Sequence, residues 1–141
     1  LKITKAFYVL AVLAVSTWLL CSVHAATVSD EARRHMDRAQ AAIEMAKTPG
    51  DLEDAIREFQ QAATLAPNWP DPYYQMGMLQ DKLERYDDAL KNLRRNLQLD
   101  PQAANAPQVI QHINKIEYKK EKAEKARLDP RNLVGVWWVN G

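Results

Sequence analysis

The sequence predicts an all-α chain, a solenoid of stacked helix hairpins, on three observations. First, residues 86–101, YDDALKNLRRNLQLDP, repeat residues 52–67, LEDAIREFQQAATLAP, at a shift of 34 residues. Asp54, Ala55, Leu65 and Pro67 then meet Asp88, Ala89, Leu99 and Pro101, while Leu52/Tyr86, Ile56/Leu90, Arg57/Lys91 and Phe59/Leu93 keep their chemical character. A fixed period of this length marks an array of supersecondary units. Second, from Ser29 to Arg127 apolar residues recur at spacings of three and four, one face of a helix. Third, sharp stops divide this stretch into five runs joined by two to seven residues, connections short enough for antiparallel hairpins. A two-helix unit cannot bury its own apolar face, so stacking unit on unit builds one continuous core.

The elements follow in order. Lys2 and Lys5 precede an uncharged run from Ala6 to Val23, and Val23, His24 and Ala25 follow. This is the layout of a secretory signal cut after Ala25. The alternative is a retained anchor, for which eighteen uncharged residues are the lower limit. Cys21 is preceded by Trp18, Leu19 and Leu20, not by the small residue that a lipidation signal needs. The expectation is therefore an exported chain, periplasmic or secreted, or one held in the inner membrane and facing outward through residues 6–23. Cys21 is the only cysteine, so beyond residue 25 no disulfide or cysteine–metal framework forms. Leu1 points to a non-standard start or a fragment.

Residues 26–127 make the expected helical domain. Its first helix covers about 30–47, capped by Thr27 or Ser29, with Asp30 and Glu31 at the positive end of its dipole. Thr48, Pro49 and Gly50 end it. The second covers about 51–66, with Asp51, Glu53 and Asp54 in its first turn and a stripe of Leu52, Ala55, Ile56, Phe59, Ala62 and Ala63. Pro67 and Pro70 break the chain, and Asp71 before Pro72 reads as an N-cap followed by a proline at the first helical position. Helix three covers about 71–83, helix four about 87–99, and Asp100 and Pro101 close it. The last helix covers about 106–127, with Val109, Ile110, Ile113 and Ile116 as its apolar stripe. Beyond Tyr118 it turns polar and projects into water. Residues 128–141 contain a β-like apolar run, Leu133 to Val139, followed by Asn140 and Gly141, a hairpin-turn signal. They are expected to open a further β-rich domain, with an apolar tail folded onto the helices as the alternative.

The period and its residues resemble the tetratricopeptide repeat family. Residues 70–103 carry the resemblance through Tyr73, Met76, Gly77, Tyr86, Ala89, Leu93, Leu99 and Pro101, with Asn96 departing from a helical alanine. Residues 36–69 carry it through Gly50, Leu52, Ala55, Phe59, Ala62 and Pro67. Their first helix departs, with Ala39, Ala42 and Ile43 where larger residues and a glycine are usual. The helix from about 106 then caps two repeats. Ala55, Ala89 and Gly77 are expected where paired helices cross closely, and Phe59 and Leu93 between units.

No catalytic constellation is present. There is no HExxH and no glycine-rich phosphate loop, and Ser29 is the only serine after residue 25. Asp87 with Asp88 and Glu53 with Asp54 lie in first turns, where the helix dipole accounts for them. The net charge of +1 leaves no footprint for nucleic acid, and the basic run 118–127 is interleaved with Glu121 and Glu124. No enzyme activity, cofactor or metal is expected, including at His112. The resemblance implies instead a concave groove lined by the first helix of each unit, holding a peptide or partner helix. Carried over by position, its residues are Asp37, Gln40, Glu44, Tyr74, Gln75, Met78, Asp81 and Lys82, with Gln108, His112 and Lys115 from the last helix. Tyr74 and Met78 would be apolar anchors, with burial in the core as their alternative. Gln40, Glu44, Gln75, Asn105 and Val109 stand where some relatives clamp a terminal carboxylate, so that ligand is not expected. The function implied is a non-catalytic interaction scaffold in the cell envelope. The alternative is an accessory module for a C-terminal β-rich ligand-binding or catalytic domain. Self-association would cover what so short an array leaves open.

Overall fold

Five α-helices follow one another in the computed structural model, which describes residues 28–129. They are α1 (Asp30–Met45), α2 (Pro49–Leu65), α3 (Pro70–Lys82), α4 (Tyr86–Leu99) and α5 (Ala106–Leu128), with no strand among the described residues. Each helix packs chiefly on the next in sequence, as hairpins stacked in a row require. The signal or anchor expected in residues 1–25 and the apolar run at 133–139 lie outside the described residues. Among those described, no helix is long and apolar enough to cross a membrane.

The first turn differs from its expected form. Ser29 caps α1, its Oγ accepting from the Ala32 N–H at 3.1 Å. The helix ends at Met45 rather than at residue 47, because Thr48, Pro49 and Gly50 serve to start α2 instead of only stopping α1. Thr48 is the N-cap. The Asp51 N–H donates to its Oγ1 at 3.3 Å, and the Thr48 N–H donates back to Asp51 Oδ2 at 2.8 Å, a reciprocal capping box. The Lys47 N–H donates to the same Asp51 oxygen at 2.8 Å. These backbone donors, Lys47 first and Thr48 next, hold the Asp51 carboxyl below its usual range. A carboxyl depressed in the folded state adds stability above its unfolded value, and that stability is lost as pH falls through the folded value. Asp51→Ala is therefore expected to lower Tm at neutral pH. The gap from wild type closes on acidification below the ordinary value of 3.8. Thermal melts in pH steps check this.

Trp69, not Asp71, precedes α3, and it makes no side-chain cap. The Asp71 carboxylate accepts from Trp69 Nε1 at 2.9 Å, and Pro70 takes the first helical position. At its other end α3 closes on Glu84 in the left-handed region, φ 59°. The Glu84 N–H donates to the Asp81 carbonyl at 3.0 Å and the Arg85 N–H to the Gln80 carbonyl at 2.8 Å, the paired bonds of a Schellman stop. Glycine usually holds this position because it has no Cβ to strain. In the 34-residue frame Glu84 corresponds to Gly50, which has no positive φ. Glu84→Gly is expected to stabilise the fold by about 0.5–1 kcal/mol, the relief of left-handed strain exceeding glycine's larger unfolded entropy. Urea denaturation reads the gain as a higher midpoint at unchanged slope.

Two apolar clusters form the core. The first joins Ala39 of α1, Leu52, Ala55, Ile56, Phe59 and Ala63 of α2, and Met76 and Leu79 of α3. The second joins Ala89, Leu90 and Leu93 of α4 with Val109, Ile113 and Ile116 of α5, flanked by Tyr74 and Met78 of α3. Helix α3 thus serves both. The small residues stand at the crossings: Ala55 and Ala89 are fully buried. A Cβ on Gly77 would lie 2.6 Å from Leu93 Cγ and 3.2 Å from the Ala89 carbonyl oxygen, so α4 approaches α3 only over a bare backbone. Asn96 keeps its place among these apolar neighbours by donating to the Pro70 carbonyl at 3.1 Å. Ile110 is a correction: it is half exposed, and Ala106 joins Val109, Ile113 and Ile116 on the buried face of α5.

Candidate partner-binding face

The eleven residues expected to line a groove fall on α1, α3 and α5. On α1, Asp37, Gln40 and Glu44 are exposed, and Gln40 Nε2 donates to Glu44 Oε1 at 3.3 Å. On α3, Tyr74, Gln75 and Met78 are half-buried and Lys82 is exposed. Tyr74 and Met78 pack against the second cluster, so each has a structural role whatever else it touches. On α5, Gln108 and Lys115 are exposed and His112 is half-buried.

Asp81 and His112 meet. The Asp81 side chain is only 8% exposed; its Oδ2 lies 3.1 Å from His112 Nε2, and both oxygens accept from Lys119 Nζ, at 2.7 and 2.8 Å. A carboxylate this buried needs such partners, because leaving it unpaired would cost more than the pairing contributes. The arrangement binds α5 to α3 and takes Asp81 out of ready reach of a partner. Lys119 was missing from the expected set. It stands four residues after Lys115 and seven after His112, on the same helical face, and this spacing was available in the sequence. With Asp81 neutralised, the α1 side carries Asp37 and Glu44 while Lys82 and Lys115 stand on α3 and α5.

Other ionic contacts tie neighbouring helices, among them Arg94 of α4 with Glu117 of α5 at 2.6 Å. His35 Nδ1 lies 2.6 Å from Glu58 Oε2, joining α1 to α2. Arg85, in the turn after α3, donates to both Glu53 oxygens at 2.9 and 2.8 Å and to Asp88 at 2.6 Å. Lys120 of α5 donates to Asp87 of α4 at 2.5 Å. In the 34-residue frame Asp87 corresponds to Glu53, so a basic residue bridges successive units at equivalent places. A trough of about 820 Å³ runs between α4 and the far half of α5, floored by Leu90 and walled by Lys91, Arg95 and Glu121. None of the eleven expected residues lines it. No group of three histidine, cysteine or acidic side chains among the described residues could hold a metal ion.

Residues 70–103 match the tetratricopeptide repeat family. No curated protein matches the chain. Repeats of this kind generally mediate protein–protein interactions.

Proposed function

We propose that the chain is a non-catalytic interaction scaffold that is exported and holds an extended peptide or a partner helix along the face shared by α1, α3 and α5. The observation that carries this reading is the run of exposed polar residues on that face, Asp37, Gln40, Glu44, Lys82, Gln108 and Lys115, set beside a tetratricopeptide repeat at 70–103. Charged rims around a partly apolar centre suit a protein surface, and here Tyr74 and Met78 supply that centre. Export rests on Lys2, Lys5, the uncharged run 6–23 and the Val23–Ala25 end of that run.

Two of these residues are exposed, of opposite charge and away from both clusters, so they test the face without disturbing the core. The full chain is used to capture partners from a cell-envelope extract, beside an Asp37→Lys, Lys115→Glu variant. Loss of the captured partner with unchanged helicity supports the reading; equal capture by both chains removes this face as the site. N-terminal sequencing of the exported product should begin at Ala26, whereas a product starting at residue 1 means that the segment stays as an anchor.

A further inference from the structure

Helix α5 has the slightest hold of the five. Each hairpin, α1 with α2 and α3 with α4, packs within itself more extensively than α5 packs on α4. Among the described residues α5 has no hairpin mate, only a seam with the unit before it. Its apolar grip is Ala106, Val109, Ile113 and Ile116, and from residue 117 to 128 nothing on it is buried. In a linear array an element held on one side opens first. Two of its ionic ties, Glu117 to Arg94 and Lys120 to Asp87, lie at the surface, where such pairs contribute little.

The third tie is of another kind. Asp81 is buried, and both of its side-chain partners, His112 and Lys119, stand on α5; its own hairpin offers it none. In the 34-residue frame its place is held by Lys47 in the first unit and Lys115 in the last, both exposed. In the middle unit the same place meets α5, so seating α5 takes a carboxylate out of water and lifting α5 returns it. Desolvating that charge offsets much of what its pairing contributes. Such a clasp fails when one side is removed, yet holds no more tightly than apolar groups in its place would. We infer that α5 is a clasped cap: it lifts from α3 and α4 as a unit while α1 to α4 stay folded, and the pairing of Asp81 with Lys119 and His112 sets how often it does. In the open form Leu90, Leu93, Tyr74 and Met78 lose the cover of α5, and the proposed face loses Gln108, His112 and Lys115. A ligand laid across α1, α3 and α5 therefore favours the closed form. That consequence rests on the proposed function; the opening does not.

Native-state amide exchange on the full chain, residue by residue at fixed pH, tests this. In the wild-type chain the amides of residues 110–116 are expected to share one opening, at least about a hundredfold more populated than that of residues 55–63 in α2. Lys119→Met keeps the helix propensity of its position but leaves Asp81 short of a cation. The opening of α5 should then rise at least about tenfold while that of α2 stays as it was. Adding Asp81→Leu replaces both sides of the clasp by apolar groups and brings the opening back to the wild-type value or below it. A simple loss of packing at position 119 would not be undone by a second substitution on α3. Lys122→Met makes the same change at an exposed position of α5 and should leave the opening as it is. One opening shared by α5 and α2 overturns the inference. So does a Lys119→Met chain that exchanges like wild type, an equal rise from Lys122→Met, or an added Asp81→Leu that fails to bring the opening back.

Discussion

Phe59→Ala is expected to lower the unfolding free energy by about 3–5 kcal/mol. Phe59 is fully buried between the first hairpin and α3, among Ala55, Ile56, Met76 and Leu79. Its small neighbours Ala39, Ala55 and Ala63 cannot grow into the space, so the cavity stays open. A domain of this size is stable by about 5–15 kcal/mol in total, so the loss is a large share of it. It should also be local. Because each helix packs chiefly on its neighbours, an array loses stability near the lesion first. Amide exchange should accelerate in α1 and α2 while α4 and α5 keep most of their protection. Uniform acceleration from α1 to α5 would show a single cooperative unit instead. Met45→Ala, at a side chain 75% exposed, serves as the control and should change stability by less than about 0.5 kcal/mol.

Leu93 and Gly77 make the second large expectation, best read as a cycle. Leu93→Ala removes a fully buried side chain and should cost about 2–5 kcal/mol. Gly77→Ala forces a methyl to within 2.6 Å of Leu93 Cγ. That overpacking costs about 1–3 kcal/mol, against a gain of about 1 kcal/mol in helix propensity. With Leu93 truncated, its Cγ and Cδ2, which the new methyl would otherwise meet at 2.6 and 2.8 Å, are gone, while the approach to the Ala89 carbonyl at 3.2 Å stays, so part of the clash is relieved. The double variant should therefore be more stable than the sum of the singles by about 0.5–3 kcal/mol. Strict additivity in chemical denaturation would mean that the two residues do not face one another as described.

Much of this architecture could be read in advance, and particular residues show why. The positions of Ala55 and Ala89 follow from repetition, because two units that stack alike must cross alike, whereas Gly77, whose counterpart in the first unit is Ile43, follows only from the family resemblance. Helix ends were harder. Thr48, Pro49 and Gly50 can stop one helix or start the next, and only the contacts of the Asp51 carboxylate decide for a start. Ile110 fits the three-and-four spacing of its helix yet lies off the buried face, because α5 meets the core on a single side. The candidate face was harder still. Spacing places Asp81, His112 and Lys119 on their helices, but only the packing of α5 on α3 brings the three together. Glu84 gives no local sign of its left-handed backbone, which the geometry of the stop imposes.

The place of α3 in both clusters bears on how the chain acquires its shape while it is being made. The apolar residues of the first cluster, with those packed against it, end at Leu83, whereas the second needs Ile116. A growing polypeptide that has released residues up to that leucine already owns everything required to close one core. One face of α3 then waits, unpaired, for thirty-three more residues to arrive. Until they do, Tyr74 and Met78 form a greasy, uncovered flank, and this is the interval in which an unfinished chain is most prone to stick to its neighbours.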